Sequence, residues 1–156
     1  MAVSDHGRYR VLRKIADGGM AEIFLATQRG AVGFERHKLA LAQALARRGA
    51  KLTLLVESVE AAQGIHGFPV LIEIDTDGHR AGLTPDAGQL IPLANALRDA
   101  GNTVAGVMTH AGGSYDCRGD AALRAIAEQE RSGAVRAAAR LRAAGFEAPV
   151  VSVGST

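Results

Sequence analysis

Residues 70–82 read Val-Leu-Ile-Glu-Ile-Asp-Thr-Asp-Gly-His-Arg-Ala-Gly, and no other stretch restricts the fold so much. An apolar run of strand length ends in carboxylates, turns on a glycine and presents His79 and Arg80. A buried strand that delivers polar groups at its carboxyl end is the unit from which parallel α/β sheets build ligand sites. The design recurs at Val104-Ala-Gly-Val-Met-Thr-His110 and at Pro149-Val-Val-Ser-Val-Gly-Ser-Thr156. Three strands that finish in polar groups predict one shared site.

The segments between these strands carry a helical period. Leu39, Ala42, Leu45 and Ala46 fall on one face before Gly49, a natural stop. Residues 52–56 form a short strand, and 59–63 a helical turn. Thr84 and Pro85 are expected to open a helix along Ala87, Leu90, Ile91, Ala94 and Leu97, kinked at Pro92. An Ala/Arg-rich helix is expected from Asp120 to Ala144, interrupted near Ser132 and Gly133. From residue 38 the order is therefore α-β-α-β-α-β-α-β, which implies a parallel sheet. The fold class expected is α/β, a half TIM-type barrel. A small β-hairpin precedes it, Tyr9–Ile15 and Glu22–Ala26 around Asp17-Gly-Gly19.

Composition narrows the function. With 47% hydrophobic and 22% charged residues the chain reads as globular. Its net charge of +2 is spread along helices, so no nucleic-acid footprint is expected. No apolar run reaches membrane-span length, and Met1-Ala-Val-Ser-Asp-His lacks a secretory pattern, so the compartment expected is the cytoplasm. Cys117 is the single cysteine, which excludes an internal disulfide and a cysteine-based zinc cluster. Asp75 and Asp77 read either as metal ligands or as turn residues, and no metal site is assigned. Parallel edge strands left open invite self-association.

Three segments in order resemble the D-threonine aldolase/D-serine dehydratase-like family of pyridoxal-phosphate enzymes, whose barrel is of the alanine racemase type. They are Glu73-Ile-Asp-Thr-Asp-Gly-His-Arg-Ala-Gly82, Met108-Thr-His-Ala-Gly-Gly-Ser-Tyr115 and Val151-Ser-Val-Gly-Ser-Thr156. The resemblance implies a lyase acting on D-amino acids, with pyridoxal phosphate as cofactor. It implies Arg80 near the ring's phenolic oxygen or a substrate carboxylate, His110 against the pyridine ring, and Tyr115 within reach of cofactor or substrate. It makes Gly154, Ser155 and Thr156 a phosphate cup. Read from spacing alone, Arg80 is equally a structural ion-pair partner of Asp75 or Glu73, His110 a core histidine, and Tyr115 a loop-packing residue.

The family holds its cofactor as a Schiff base on a lysine of its first barrel strand. The lysines here are Lys14, Lys38 and Lys51, and none is placed for that role. The family's later barrel strands and His/Cys metal ligands have no counterpart in this sequence. Residues 38–156 are thus expected to be a partial barrel, inactive alone.

Arg8-Tyr-Arg-Val-Leu-Arg-Lys-Ile-Ala-Asp-Gly-Gly-Met-Ala-Glu-Ile-Phe-Leu-Ala26 resembles the Gly-rich hairpin of bacterial serine/threonine kinases. Ala16 and Ala21 replace two of that motif's glycines, and its lysine strand, His-Arg-Asp and Asp-Phe-Gly are missing. Residues 1–37 are expected to be a kinase-like hairpin joined to the barrel segment. The alternatives are an ATP-binding fragment and a non-catalytic α/β association domain.

Overall fold

A computed structural model describes residues 5–6, 9–18, 21–28 and 36–154, with side chains from Lys38 to Gly154. The chain divides into two compact units, Met1–Glu35 and Arg36–Thr156. The first is a three-stranded antiparallel sheet of β1 (Asp5–His6), β2 (Tyr9–Gly18) and β3 (Ala21–Gln28). Asp17 and Gly18 belong to β2, facing Glu22 and Ala21, so the strand runs through the residues expected to turn. The expected turn residue Gly19 lies outside the described residues.

The second unit is a four-stranded parallel sheet in the order β4 (Leu54–Val56), β5 (Pro69–Ile74), β6 (Thr103–Thr109), β7 (Val150–Val153). Helix α1 (Arg36–Arg47) precedes β4 and ends before Gly49, which adopts φ +94°. The expected helical face is only partly covered: Leu39 and Ala42 are buried, whereas Leu45 is exposed. Helix α2 (Val59–Ala62) is capped by Ser58, whose Oγ accepts the N–H of Ala61 at 3.0 Å. Val70, Ile72 and Ile74 of β5 and Val104 and Val107 of β6 are buried, together with Leu90, Leu93, Ala94 and Leu97 of α3 (Leu90–Asp99). Aliphatic side chains thus make most of this core, and each Val, Leu or Ile contributes about 2 kcal/mol when fully buried.

Two helix expectations are corrected. Helix α3 starts at Leu90, not at Pro85. Pro92 then sits in its first turn, where a missing N–H costs no intrahelical bond, and it does not kink the helix. The segment before it is held as a turn by Arg140, which donates to the carbonyls of Pro85 (2.6 Å) and Ala87 (2.9 Å). Helix α4 (Asp120–Ala143) runs without a break through Gly133. There a Cβ would lie 2.8 Å from Thr76 Cγ2 and 3.2 Å from Pro85 Cγ. Glycine at that point lets the helix approach the end of β5.

Asn102, only 6% exposed, staples this core. Its Oδ1 accepts the Phe68 N–H at 3.1 Å, and its Nδ2 donates to the carbonyls of Ile65 (2.8 Å) and Leu97 (3.2 Å).

Candidate functional site at the carboxyl ends of the strands

After β5 the chain folds back on itself. The Asp75 N–H donates to the Leu83 carbonyl at 2.9 Å, and the Leu83 N–H to the Glu73 carbonyl at 3.0 Å. The loop between is an Asx structure: Asp75 Oδ1 accepts from the N–H groups of Asp77 (3.2 Å) and Gly78 (2.8 Å). Asp77 Oδ1 accepts in turn from the His79 N–H at 3.2 Å, so both aspartates are used by backbone donors. Among the described residues, no group of three or more His, Cys, Asp or Glu side chains is gathered to hold a metal ion.

Asp77 does more than shape its own turn. Its side chain is 3% exposed, and its Oδ2 accepts the Gly113 N–H at 2.6 Å, joining the loop after β5 to the loop after β6. The two loops pack without room for a methyl group. A Cβ at Gly113 would lie 2.9 Å from Asp77 Oδ2, and one at Gly112 3.0 Å from Arg80 Nε. Arg80 therefore lies against the Gly112 backbone, on the loop that also carries His110 and Tyr115. It forms no ion pair with Asp75 or Glu73 among the described residues. Its attraction acts at longer range on Glu73, whose carboxyl is nevertheless raised above the ordinary range by burial and by Glu57 and Asp75.

His110 follows β6 directly, part-exposed, and its Nε2 lies 3.0 Å from the hydroxyl of Tyr115. The ring centroids are 5.9 Å apart and tilted. Tyr115 is 52% exposed, on the short 3-10 helix Gly112–Asp116. His110 is therefore not a core histidine. His79 is exposed, as a turn residue should be, and Cys117 is a loop residue whose Sγ lies 3.5 Å from the Gly113 carbonyl oxygen.

Gly154 follows β7, and its N–H is directed at Glu130 Oε1, 3.3 Å away. Ser155 and Thr156, the other two expected phosphate-cup residues, lie outside the described residues. The same Glu130 oxygen accepts the Ala111 N–H at 3.0 Å. Sequence reasoning missed Glu130 because it sits in the polar run Glu128-Gln129-Glu130-Arg131. The available signal was its spacing: Glu130 shares a face with Gly133, Ala134, Ala137 and Leu141, all buried. Next to it, Gln129 donates to the Thr76 carbonyl at 2.7 Å, and Thr76 and Thr109 hydroxyls meet at 3.2 Å. One turn of α4 thus touches the ends of β5, β6 and β7.

Lys51 lies away from this end. It precedes β4 and lines, with Thr53, Phe68 and Pro69, an open depression of about 410 Å³ at the amino-terminal rim of the sheet.

Burial pushes the Asp77 carboxyl up, but the N–H groups of Gly113 and His79, with the His79 charge and Asp75, outweigh it and hold it below the ordinary aspartate range. A folded-state value below the unfolded one gives stability that is present above about pH 4 and lost as pH falls through the lower folded value. Asp77→Asn is expected to flatten the acid side of the stability profile, read as the urea midpoint between about pH 5 and 3.

A parallel α/β sheet with polar groups gathered at its carboxyl end defines the class: part of a TIM-type barrel, with the candidate site at the carboxyl ends of its strands. The family model described as "Alanine racemase, N-terminal domain" matches residues 2–156, and the chain belongs to that family. It is 50% identical over 135 residues to D-threo-3-hydroxyaspartate dehydratase of Delftia sp. strain HT23, covering 81% of this chain and 36% of that protein. The solved structure of that dehydratase superposes with a TM-score of 0.76. An Ala racemase-like protein from Idiomarina loihiensis is 37% identical, with a TM-score of 0.70 over 80% of this chain and 35% of that one. The chain spans about a third of the length of these relatives. A separate match of 32 residues, 62% identical, joins 20% of this chain to 5% of tyrosine-protein kinase MasK of Myxococcus xanthus, too short to show a family. No helix among the described residues is long and apolar enough to cross a membrane.

Proposed function

We propose that residues 36–154 are the ligand-facing part of a pyridoxal-phosphate lyase barrel of the type that acts on D-configured β-hydroxy amino acids. The observation that carries this reading is the 50% identity, over most of the chain, to a D-threo-3-hydroxyaspartate dehydratase. When bound, pyridoxal phosphate supplies an electron sink for breaking a bond at an amino acid's α-carbon.

The donor set fits the cofactor in part. Arg80, a permanent cation beside the Gly112 backbone, suits an anionic oxygen of ring or substrate. The His110–Tyr115 pair can hold a proton between Nε2 and the hydroxyl, at 3.0 Å. The Gly154 N–H is engaged by Glu130, so a phosphate there must draw on other donors. Neither lysine among the described side chains is placed to supply the amine: Lys51 is at the opposite rim, and Lys38 lies in α1. Binding is therefore expected to be non-covalent, and the chain alone inactive as a lyase.

The test is equilibrium dialysis of the full chain against pyridoxal phosphate, followed by borohydride and peptide mapping. Saturable binding with no reduced adduct is expected, and no turnover of D-threo-3-hydroxyaspartate. Absence of binding would sink the reading in favour of a non-catalytic association domain. A reduced adduct on Lys38 or Lys51 would sink its non-covalent part.

Residues 1–37 are read as a kinase-like hairpin, supported by the antiparallel β2–β3 pair, and residues 38–156 as the partial barrel. Deleting residues 1–35 is then expected to leave the dialysis result unchanged. Strands β4 and β7 are edges of the four-stranded sheet, with Val150 and Val153 exposed on β7. Such edges favour self-association, so light scattering of the same sample is expected to show species above the monomer mass.

A further inference from the structure

We infer that Glu130 is a positioning residue, whose carboxylate holds the carboxyl ends of β6 and β7 in register so that the His110–Tyr115 pair faces the ligand site from a fixed rim. The inference rests on the reading that this end of the sheet is the ligand site. Strands β6 and β7 share a ladder from Gly106↔Val150 to Thr109↔Val153, and there it stops. Just beyond it, the Ala111 and Gly154 N–H groups both donate to Glu130 Oε1, at 3.0 and 3.3 Å. A side-chain oxygen thus continues the pairing that the backbone has ended.

The position explains why a carboxylate is kept there. Glu130 is 5% exposed on the packed face of α4, where its companions are Gly133, Ala134, Ala137 and Leu141. Burying a carboxylate is costly unless donors surround it, and an alanine would suit the face without that cost. Two converging N–H groups, from Ala111 and Gly154, offset part of that cost at Oε1. An anion attractor would be a poor description, since a negative charge beside Gly154 repels a phosphate. Glu130 orders the backbone, while ligand charge must be met by other groups such as Arg80.

Amide hydrogen exchange of the ¹⁵N-labelled full chain tests this with E130A, E130Q and, as a global control, L141A. In E130A the Ala111 and Gly154 amides are expected to exchange about tenfold faster or more, with Val107 protected as before. In E130Q, which keeps an acceptor oxygen, both amides are expected to stay within about threefold of the parent. L141A is expected to raise exchange across the unit without singling out these two. Unchanged Ala111 and Gly154 in E130A, a uniform rise like that of L141A, or failure of E130Q to restore protection would each overturn the inference. Pyridoxal phosphate dialysis on the same variants separates the two readings. If the parent does not bind, the proposed function fails, and exchange alone decides whether Glu130 holds the strand ends. If the parent binds, weaker binding by E130A restored in E130Q supports positioning, and equal binding by E130A overturns it.

Discussion

Gly106→Ala is expected to cost the Arg36–Thr156 unit about 3–5 kcal/mol, a large part of the 5–15 kcal/mol that holds a typical domain together. Gly106 has φ +149°, and a Cβ there would overlap the Val150 carbonyl, with the Val150 carbonyl carbon only 2.7 Å away. The obstacle is backbone, so no rotamer change relieves it. Either β7 leaves β6 or the β6 backbone must change course. The position also follows an irregularity in the β5–β6 register, between Val70 and Leu71. Urea unfolding followed by far-UV circular dichroism measures the effect. A midpoint within experimental error of the parent would show that the β6–β7 contact is not as close as described.

Asn102→Ala is expected to lose about 2–4 kcal/mol, although it removes only a few atoms. The Leu97 carbonyl keeps a donor, because the Asn102 backbone N–H also reaches it, at 3.0 Å. The Phe68 N–H and the Ile65 carbonyl lose their Asn102 side-chain partner in a buried setting. Asn102→Asp is expected to be worse at neutral pH. An ionised carboxylate can still accept from Phe68 but turns an acceptor toward the carbonyls of Ile65 and Leu97. The ordering Asn, then Ala, then Asp in urea midpoint at pH 7, with the Ala–Asp gap narrowing in acid, is the checkable outcome. An Asp variant as stable as Ala would contradict the donor role of Nδ2.

How far the fold could be read from residues depended on whether the cause was local. Strands β5, β6 and β7 were legible because each is an apolar run bounded by Gly, Pro or polar residues. Their parallel order followed from the helices between them. Thr84-Pro85 carries a sound helix-start signal, yet α3 begins at Leu90, where Pro92 falls in the first turn and Arg140 from α4 holds the preceding carbonyls. Gly133 reads as a helix breaker only until Thr76 and Pro85 are seen against it. Asn102 carries no local signal of its role, because two of its partners lie more than thirty residues away.

For the candidate site, the positions of the residues were legible in part. Arg80, His110 and Tyr115 sit where strand ends deliver them, and His110 and Tyr115 do meet. Asp77 was read as turn chemistry, which it is, but its second oxygen ties a loop 36 residues further on. Glu130 was hidden by its neighbours. Glu128 and Arg131 form an exposed i,i+3 pair, which is the behaviour the whole run suggested.

The contacts that α4 makes through Gln129, Glu130 and Gly133 fall within five consecutive residues, and they reach the segments that follow three different strands. A stiff rod gripped at one point moves all its attachments together. Sliding it by one residue would rotate that stretch by about 100° and release every attachment at once. The ends of three strands are therefore coupled through one short stretch of a single helix, so a shift of that stretch is felt at all of them.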